Sequence, residues 1–149
     1  MLEIDWGLIL NHLLTMMVAY LLAFPIAWNR ESNTRSAGIR TFPLVSIAAC
    51  GFVLIAADIV PDPSERARII SGIITGIGFI GGGAILKDKG RVTGLATAAS
   101  LWSTAAIGIA VGTHRIEIAL ILAIVTFATL KIMGKVKDAV PESDDQEAS

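Results

Sequence analysis

The sequence predicts an all-α membrane protein, a bundle of five transmembrane helices, and three observations lead to that prediction. The composition is apolar, with 54% hydrophobic residues, 17% charged residues and a mean hydropathy of +0.69. A soluble domain of 149 residues would be more polar. Five stretches approach the roughly 20 apolar residues that one helical span requires, and charged residues lie mainly between them. We place the spans at about 7–28, 43–60, 66–86, 93–112 and 116–133.

These spans use most of the chain and leave no room for a second folded domain. We expect one transmembrane domain over residues 1–137 and a disordered acidic tail over 138–149, which has too few apolar residues to fold. The chain opens with two acids and no base, so a cleaved secretory signal is not expected. The single cysteine, Cys50, lies in an apolar span, so the chain forms no internal disulfide.

The third span is expected to be the buried helix around which the others pack. Its uncharged run, 69–86, contains six glycines, and small residues let transmembrane helices approach closely. Gly72 and Gly76 form a G-x-x-x-G pair on one helix face. The run also matches the dinucleotide-binding pattern G-x-G-x-x-G at 76–81. That pattern requires a preceding strand and an acid about 20 positions further on. Here the glycines lie within an apolar run and residues 96–101 contain no acid, so nucleotide binding is not expected.

Three consecutive glycines near the end of the third span suggest a candidate ligand site. Irregular backbone at membrane depth is tolerated where it is buried in protein or lines a wet cavity. We therefore predict that the helix loosens or bends at 81–83, forming a small polar cavity beside the fourth span. In the alternative, the helix is regular and the glycines serve only close packing. The alternative role of the hydroxyl groups is hydrogen bonding between helices. The residues predicted to line the cavity or a solute path are Thr75, Gly76, Gly78, Gly81, Gly82, Gly83, Thr97 and Ser100.

Other residues are assigned to helix ends and to packing. Asp62 and Pro63 are typical of a helix start, which places Glu65 and Arg68 at the outer interface. A tight turn is expected at 87–91. Small residues line the fourth span, and the residues assigned to helix packing are Gly72, Trp102 and Gly108. A second G-x-x-x-G pair, formed by Gly108 and Gly112, is expected to support a homodimer, the commonest closed assembly.

Two charged or titratable groups have alternative roles. We expect Glu31 to pair with Arg30 or Arg40 and to fix the first loop against the 87–91 turn. In the alternative, the arginines contact lipid phosphate. His12, in the outer third of the first span, is expected to form a hydrogen bond to a neighbouring helix, with a proton or metal role as its alternative.

Three sequence blocks together resemble the MgtC/SapB family. They are Arg30-Glu31 followed by 37–41, the glycine-rich block 75–83, and 94–102 followed by 105–108. The sequence departs from the family pattern at Asn29, Phe42 and Ala96, and the C-terminal ACT-like domain of many members is not expected here. The motif residues that the resemblance assigns to the cytoplasmic side are Arg30, Glu31, Gly38, Arg40, Thr41, Lys87 and Gly94.

The resemblance implies a multi-pass protein of the bacterial cytoplasmic (inner) membrane, tied to growth in low magnesium and, in pathogens, to survival inside host cells. Family members have been described as magnesium transporters and as regulators of other membrane complexes, including the ATP synthase. Two hypotheses therefore remain open: a carrier or channel for an ion or small solute, and a non-transporting interaction protein.

The residues themselves exclude several function classes. The sequence has no nucleophile with a base, no metal-ligand cluster and no paired carboxylates at one depth, so an enzyme is not expected. No cofactor and no nucleic-acid partner are expected; the bilayer and a membrane protein are the expected partners. Magnesium prefers oxygen ligands. Every acid lies at or beyond a span end. Within the membrane, only hydroxyls and backbone carbonyls could therefore act as magnesium ligands.

The distribution of basic residues predicts the orientation. Nine of the 12 lysine and arginine residues lie after the first and third spans or at the C-terminal end of the chain from Lys131 on, which places the C-terminus in the cytoplasm and the N-terminus outside. In a Cys50→Ala background, an impermeant maleimide should label Ser64→Cys but not Ser32→Cys in intact cells. The reverse labelling would show that the orientation is inverted.

Overall fold

The computed structural model describes residues 4–33, 37–88 and 91–139. It contains five α-helices: α1 (Trp6–Asn33), α2 (Thr41–Ile59), α3 (Pro63–Gly83), α4 (Leu95–Gly112) and α5 (Ile116–Ala139). The predicted all-α fold of five helices is confirmed. In the described ranges, α1, α2, α4 and α5 are long and apolar enough to cross a membrane. α3 is not among them, since it combines charged residues in its first two turns with many glycines.

The ends of α3 follow from its local chemistry. The Asp62 side chain accepts a hydrogen bond from the backbone N–H of Ser64 at 2.8 Å, and Pro63 occupies the first turn, which confirms the predicted helix start. At the other end, the N–H groups of Ala84 and Ile85 donate to the carbonyls of Gly81 and Gly82 at 3.0 and 3.1 Å. Such i to i−3 bonds tighten a final helical turn.

The third helix was predicted to continue to 86 with a loosening or bend at 81–83; instead it ends in this glycine run. The three glycines belong to the last turn of α3, which is helical to Gly83 and then ends. Helix ends tolerate glycine because there the lost helix propensity matters least.

A short β-hairpin follows α3, where the sequence predicted only a tight turn. β1 (Leu86–Asp88) pairs antiparallel with β2 (Arg91–Thr93). Residues 89 and 90 of the predicted turn lie outside the described residues. Gly94 then begins α4 with a left-handed backbone, φ 87°, and a Cβ at this position would collide with the carbonyl oxygen of Ala84. Only glycine meets both requirements without strain.

α2 and α4 form the centre of the bundle. A Cβ on Gly108 would collide with the carbonyl oxygen of Ser46, and one on Gly112 would meet the Cys50 carbonyl oxygen at 3.0 Å. The two backbones are therefore in direct contact, as small residues permit in membranes. The largest apolar side chains that are fully buried here are Phe42, Ile26, Leu101, Ile107 and Val111.

This arrangement corrects two predictions. α3 was expected at the centre, but Ile77 and Gly81 are its buried residues, while Gly72 and Gly76 face open space. The Gly108–Gly112 pair was expected to support self-association, but it packs against α2 of the same chain. Trp102, which was also assigned to packing, is 53% exposed and borders a surface groove beside α3.

The C-terminal segment is described only in part. α5 continues through Ala139, so the first two residues of the predicted acidic tail belong to the helix. Residues 140–149 lie outside the described residues.

The glycine contacts predict a difference in stability between two matched variants. Gly108→Ala should lower the free energy of unfolding by about 1–3 kcal/mol, because the new methyl group overpacks the α2–α4 contact. Gly72→Ala adds the same group where a Cβ meets nothing within 4 Å and should leave stability unchanged or slightly raised. Thermal unfolding in mild detergent, followed by circular dichroism, measures both. Equal losses would contradict the close α2–α4 contact.

Candidate functional site

A buried cation on α1 defines the candidate site. Arg30 is 9% exposed, and its Nη2 donates a hydrogen bond of 3.0 Å to Oγ1 of Thr97 on α4, which is fully buried. The two residues are 67 positions apart in the chain. A charged group inside a bundle is costly unless hydrogen bonds satisfy it, so this contact fixes how α1 lies against α4.

The position of Arg30 follows from the pattern of α1. Ala19, Ala23, Ile26 and Ala27 are fully buried, and Arg30 continues the same face at spacings of three and four residues. Its location in the last turns of α1 is also favourable for a cation, since the carbonyl end of a helix carries partial negative charge. The sequence therefore contained a signal for a buried Arg30, although the prediction assigned it only to the cytoplasmic loop.

Hydroxyl groups continue from Thr97 along the buried face of α4. Ser100 is 3% exposed and donates to the Ala96 carbonyl at 2.7 Å; Thr104 is fully buried and donates to the Ser100 carbonyl at 2.8 Å. These two hydroxyls bond within their own helix. Thr97 differs from them because it accepts a bond from another helix.

Ser46 is a second inter-helix polar contact that sequence reasoning missed. It is fully buried, and its Oγ donates to the carbonyl oxygen of Ala19 on α1 at 2.9 Å. The sequence did contain a signal for this contact, a single serine among the apolar residues of α2. The alternative that hydroxyls act as hydrogen bonds between helices therefore holds for Thr97 and Ser46.

The loop after α1 is fixed by Glu31. Its Oε2 accepts a hydrogen bond of 3.0 Å from the backbone N–H of Ile39, and a Cβ on Gly38 would collide with the same carboxylate. The partner shown for Glu31 is thus a backbone amide, whereas the prediction named Arg30 or Arg40. The predicted contact of this loop with the 87–91 turn stays a prediction, since residues 89 and 90 lie outside the described residues. Arg40 is exposed at the start of α2, and Thr41 is half-buried.

The predicted solute path is not assembled. Five of its residues lie exposed on α3, where the Thr75 hydroxyl donates to the Ser71 carbonyl of its own helix at 2.9 Å. Gly81 is buried against Ala98 of α4. Thr97 and Ser100 lie inside the bundle and line neither of the two surface grooves on either side of α3. The exposed path residues are Thr75, Gly76, Gly78, Gly82 and Gly83.

The remaining predicted residues lie apart from the Arg30 site. Glu65 and Arg68 are exposed in the first two turns of α3, and Lys87 is exposed in β1. His12 Nε2 lies 4.0 Å from Asp58 Oδ2 on α2, so the side chain faces a neighbouring helix, but this distance is longer than the predicted hydrogen bond would be. Among the described residues, no group of three or more His, Cys, Asp or Glu side chains could hold a metal ion.

Comparison with known proteins gives a consistent result. A family model described as "MgtC family" matches residues 16–139. The chain is similar to protein SrpB of Synechococcus elongatus, with 36% identity over 140 residues, 85% of this chain and 75% of that protein. It is also similar to protein MgtC of Salmonella typhimurium, with 36% identity over 118 residues, and to protein MgtC of Brucella abortus, with 42% identity over 94 residues. No solved structure matches the chain.

The matches to the two MgtC proteins cover a larger share of this chain than of the relatives. They include 79% and 63% of this chain but 50% and 39% of the Salmonella and Brucella proteins. The chain thus spans half or less of the length of these relatives.

The Arg30 contact predicts the effect of removing its acceptor. Thr97→Val keeps the shape of the side chain but leaves a buried guanidinium donor without its partner, which should destabilise the protein by about 1–3 kcal/mol. Thr75→Val is the matched control, since that hydroxyl is exposed and bonds within its own helix; its effect should stay within about 0.5 kcal/mol. Thr97→Ser, which retains an acceptor, should restore most of the loss in thermal unfolding. Equal stability of Thr97→Val and wild type would contradict the assigned contact.

Proposed function

We propose that this chain, which belongs to the MgtC family, acts in bacterial magnesium homeostasis as a non-enzymatic, non-transporting regulator of another protein in the inner membrane. Its family membership confirms the resemblance seen in the three motif blocks. The link to magnesium and to adaptation to low magnesium comes from that resemblance. The observation that carries the choice of a regulator is the buried Arg30 and its bond to Thr97.

A fixed positive charge between helices opposes passage of a dication. Magnesium requires oxygen ligands, usually carboxylates with retained waters, whereas α1 and α4 present a guanidinium beside a threonine that already accepts its hydrogen bond. Arginine side chains in pores act as electrostatic barriers to cations. A route between α1 and α4 would therefore start with an unfavourable charge, and the nearby Glu31 carboxylate already accepts a hydrogen bond from the Ile39 N–H.

Transport remains the second candidate, and one observation favours it. Thr97, Ser100 and Thr104 form a row of buried hydroxyls along α4, and oxygen atoms in a row are what a cation path would need. In this structure the Ser100 and Thr104 hydroxyls donate to carbonyls of their own helix, so a path would have to open by separating α4 from its neighbours.

The exposed side of α3 is where we place the contact with a partner protein. Phe79 is 87% exposed, and Gly78 has open space around it. Ser71, Thr75 and Gly82 lie on the same side of the helix, and such small residues let a second helix approach closely. The resemblance implies membrane complexes such as the ATP synthase as the class of partner.

A flux assay separates the two candidates. Purified protein is reconstituted into liposomes that contain a magnesium-sensitive dye, with empty liposomes as the blank and an ionophore as the positive control. A regulator should give magnesium uptake equal to that of empty liposomes. Uptake above the blank that Ser100→Ala or Thr104→Val reduces would establish transport and overturn the proposal.

Complementation in cells tests the regulatory role. In a strain that lacks the gene and grows poorly in low magnesium, Gly78→Leu should fail to restore growth, because the leucine blocks approach to the outer side of α3. Gly134→Leu is the matched control on α5, where a Cβ likewise meets nothing within 4 Å, and it should restore growth fully. Both variants should be present in the membrane in wild-type amounts. Full complementation by Gly78→Leu would exclude this side of α3 as the partner contact.

A further inference from the structure

A long apolar groove separates α2 from α3. Its volume is about 820 Å³, and it extends from Arg40 and Thr41 at one end to Ile59 at the other. α2 has 19 residues, which corresponds to a length of about 28 Å, close to the roughly 30 Å thickness of the hydrocarbon core of a bilayer. The groove therefore follows the whole depth of the membrane.

The groove exists because small residues line part of both walls. Gly72 and Gly76 supply no side chain from α3, and a Cβ at either position would meet nothing within 4 Å. Ala48 and Ala56 contribute only methyl groups from α2, while exposed Phe52 and Ile55 form its apolar rim. Such a gap between two membrane helices has no polar group to hold water along its length, so hydrocarbon is its natural filling.

One end of the groove carries a positive charge. Among the described residues that line it, Arg40 has the only charged side chain, and it is exposed beside the first turn of α2. A guanidinium presents its donors in a planar fork that matches phosphate. An apolar groove with a phosphate-binding group at one end is complementary to a phospholipid, which has a phosphate headgroup and apolar acyl chains.

We propose that this groove binds one anionic phospholipid from the leaflet on the Arg40 side. The lipid phosphate contacts the Arg40 guanidinium, and one acyl chain lies along Gly72 and Gly76 between α2 and α3. The inference does not depend on the proposed regulatory role, because the binding site is built from different residues.

The chemistry of the groove favours a lipid over a helix from a second copy of the protein. Its apolar walls, with a volume of about 820 Å³ between them, give an acyl chain a place along Gly72 and Gly76. The exposed Arg40 at one end is matched by the phosphate of a lipid headgroup, whereas an apolar helix would leave this charge without an anion.

Native mass spectrometry of the full chain in mild detergent tests the proposal. The probes are palmitoyl-oleoyl phosphatidylglycerol and phosphatidylcholine with the same chains, titrated separately. Wild type should hold one phosphatidylglycerol per protomer in preference to phosphatidylcholine. Arg40→Gln should weaken phosphatidylglycerol binding about fivefold, with little change for phosphatidylcholine. Arg68→Gln, an exposed arginine outside the groove, is the matched control and should bind as wild type does.

Filling the groove tests the position of the acyl chain. Gly76→Leu should abolish binding of both lipids, whereas Gly82→Leu, on the same helix but outside the groove, should not; a Cβ meets nothing within 4 Å at either site. If Gly76→Leu fails to fold, Gly72→Leu serves in its place. Undiminished phosphatidylglycerol binding by Arg40→Gln or by the folded groove variant would overturn the proposal. So would a wild-type dimer that Gly76→Leu dissociates, since the groove would then hold a second copy.

Discussion

The close approach of α4 to α2 is the constraint on which the rest of the structure depends. Gly108 and Gly112 let the α4 backbone touch the carbonyls of Ser46 and Cys50, and no side chain fits between them. In a bilayer, helices gain nothing from excluding water from each other, so van der Waals contact of this kind is a main source of association. Once α2 and α4 are in contact, α1 lies across both, and α3 and α5 pack on the outside of α4.

The Arg30–Thr97 hydrogen bond adds specificity to that packing. Alanines at 19, 23 and 27 let α1 lie close to the central pair, but alanine faces alone permit several rotations and shifts of one helix along another. A buried guanidinium favours the helix arrangement in which its N–H groups donate to acceptors, because other arrangements leave these groups unsatisfied. Ser46 acts in the same way through the Ala19 carbonyl. The same bond places a positive charge inside the bundle, which is the basis for preferring a regulator over a magnesium path.

α3 has a different role from the other helices. Among its described residues only Ile77 and Gly81 are buried, and it borders two open grooves, because its glycines give it little side-chain surface with which to pack. One side of α3 is the partner contact that we propose, and the groove on its other side is the proposed lipid site. A helix held this loosely in its own chain has surface available for other molecules, in keeping with a protein that acts through association.

The sequence by itself determined the number, order and type of the helices, because span length and the spacing of charged residues are local properties. It also determined the Asp62 cap of α3 and the family, which depends on motif order. The tertiary structure decided which helices are central. Glycine content made α3 look like the core, yet glycines at 72 and 76 meet no neighbour while those at 108 and 112 meet α2. A high glycine content indicates that two helices can approach closely. Which helices do so depends on the arrangement of all five. The pairing of Arg30 with Thr97, across 67 residues, depends on that same arrangement.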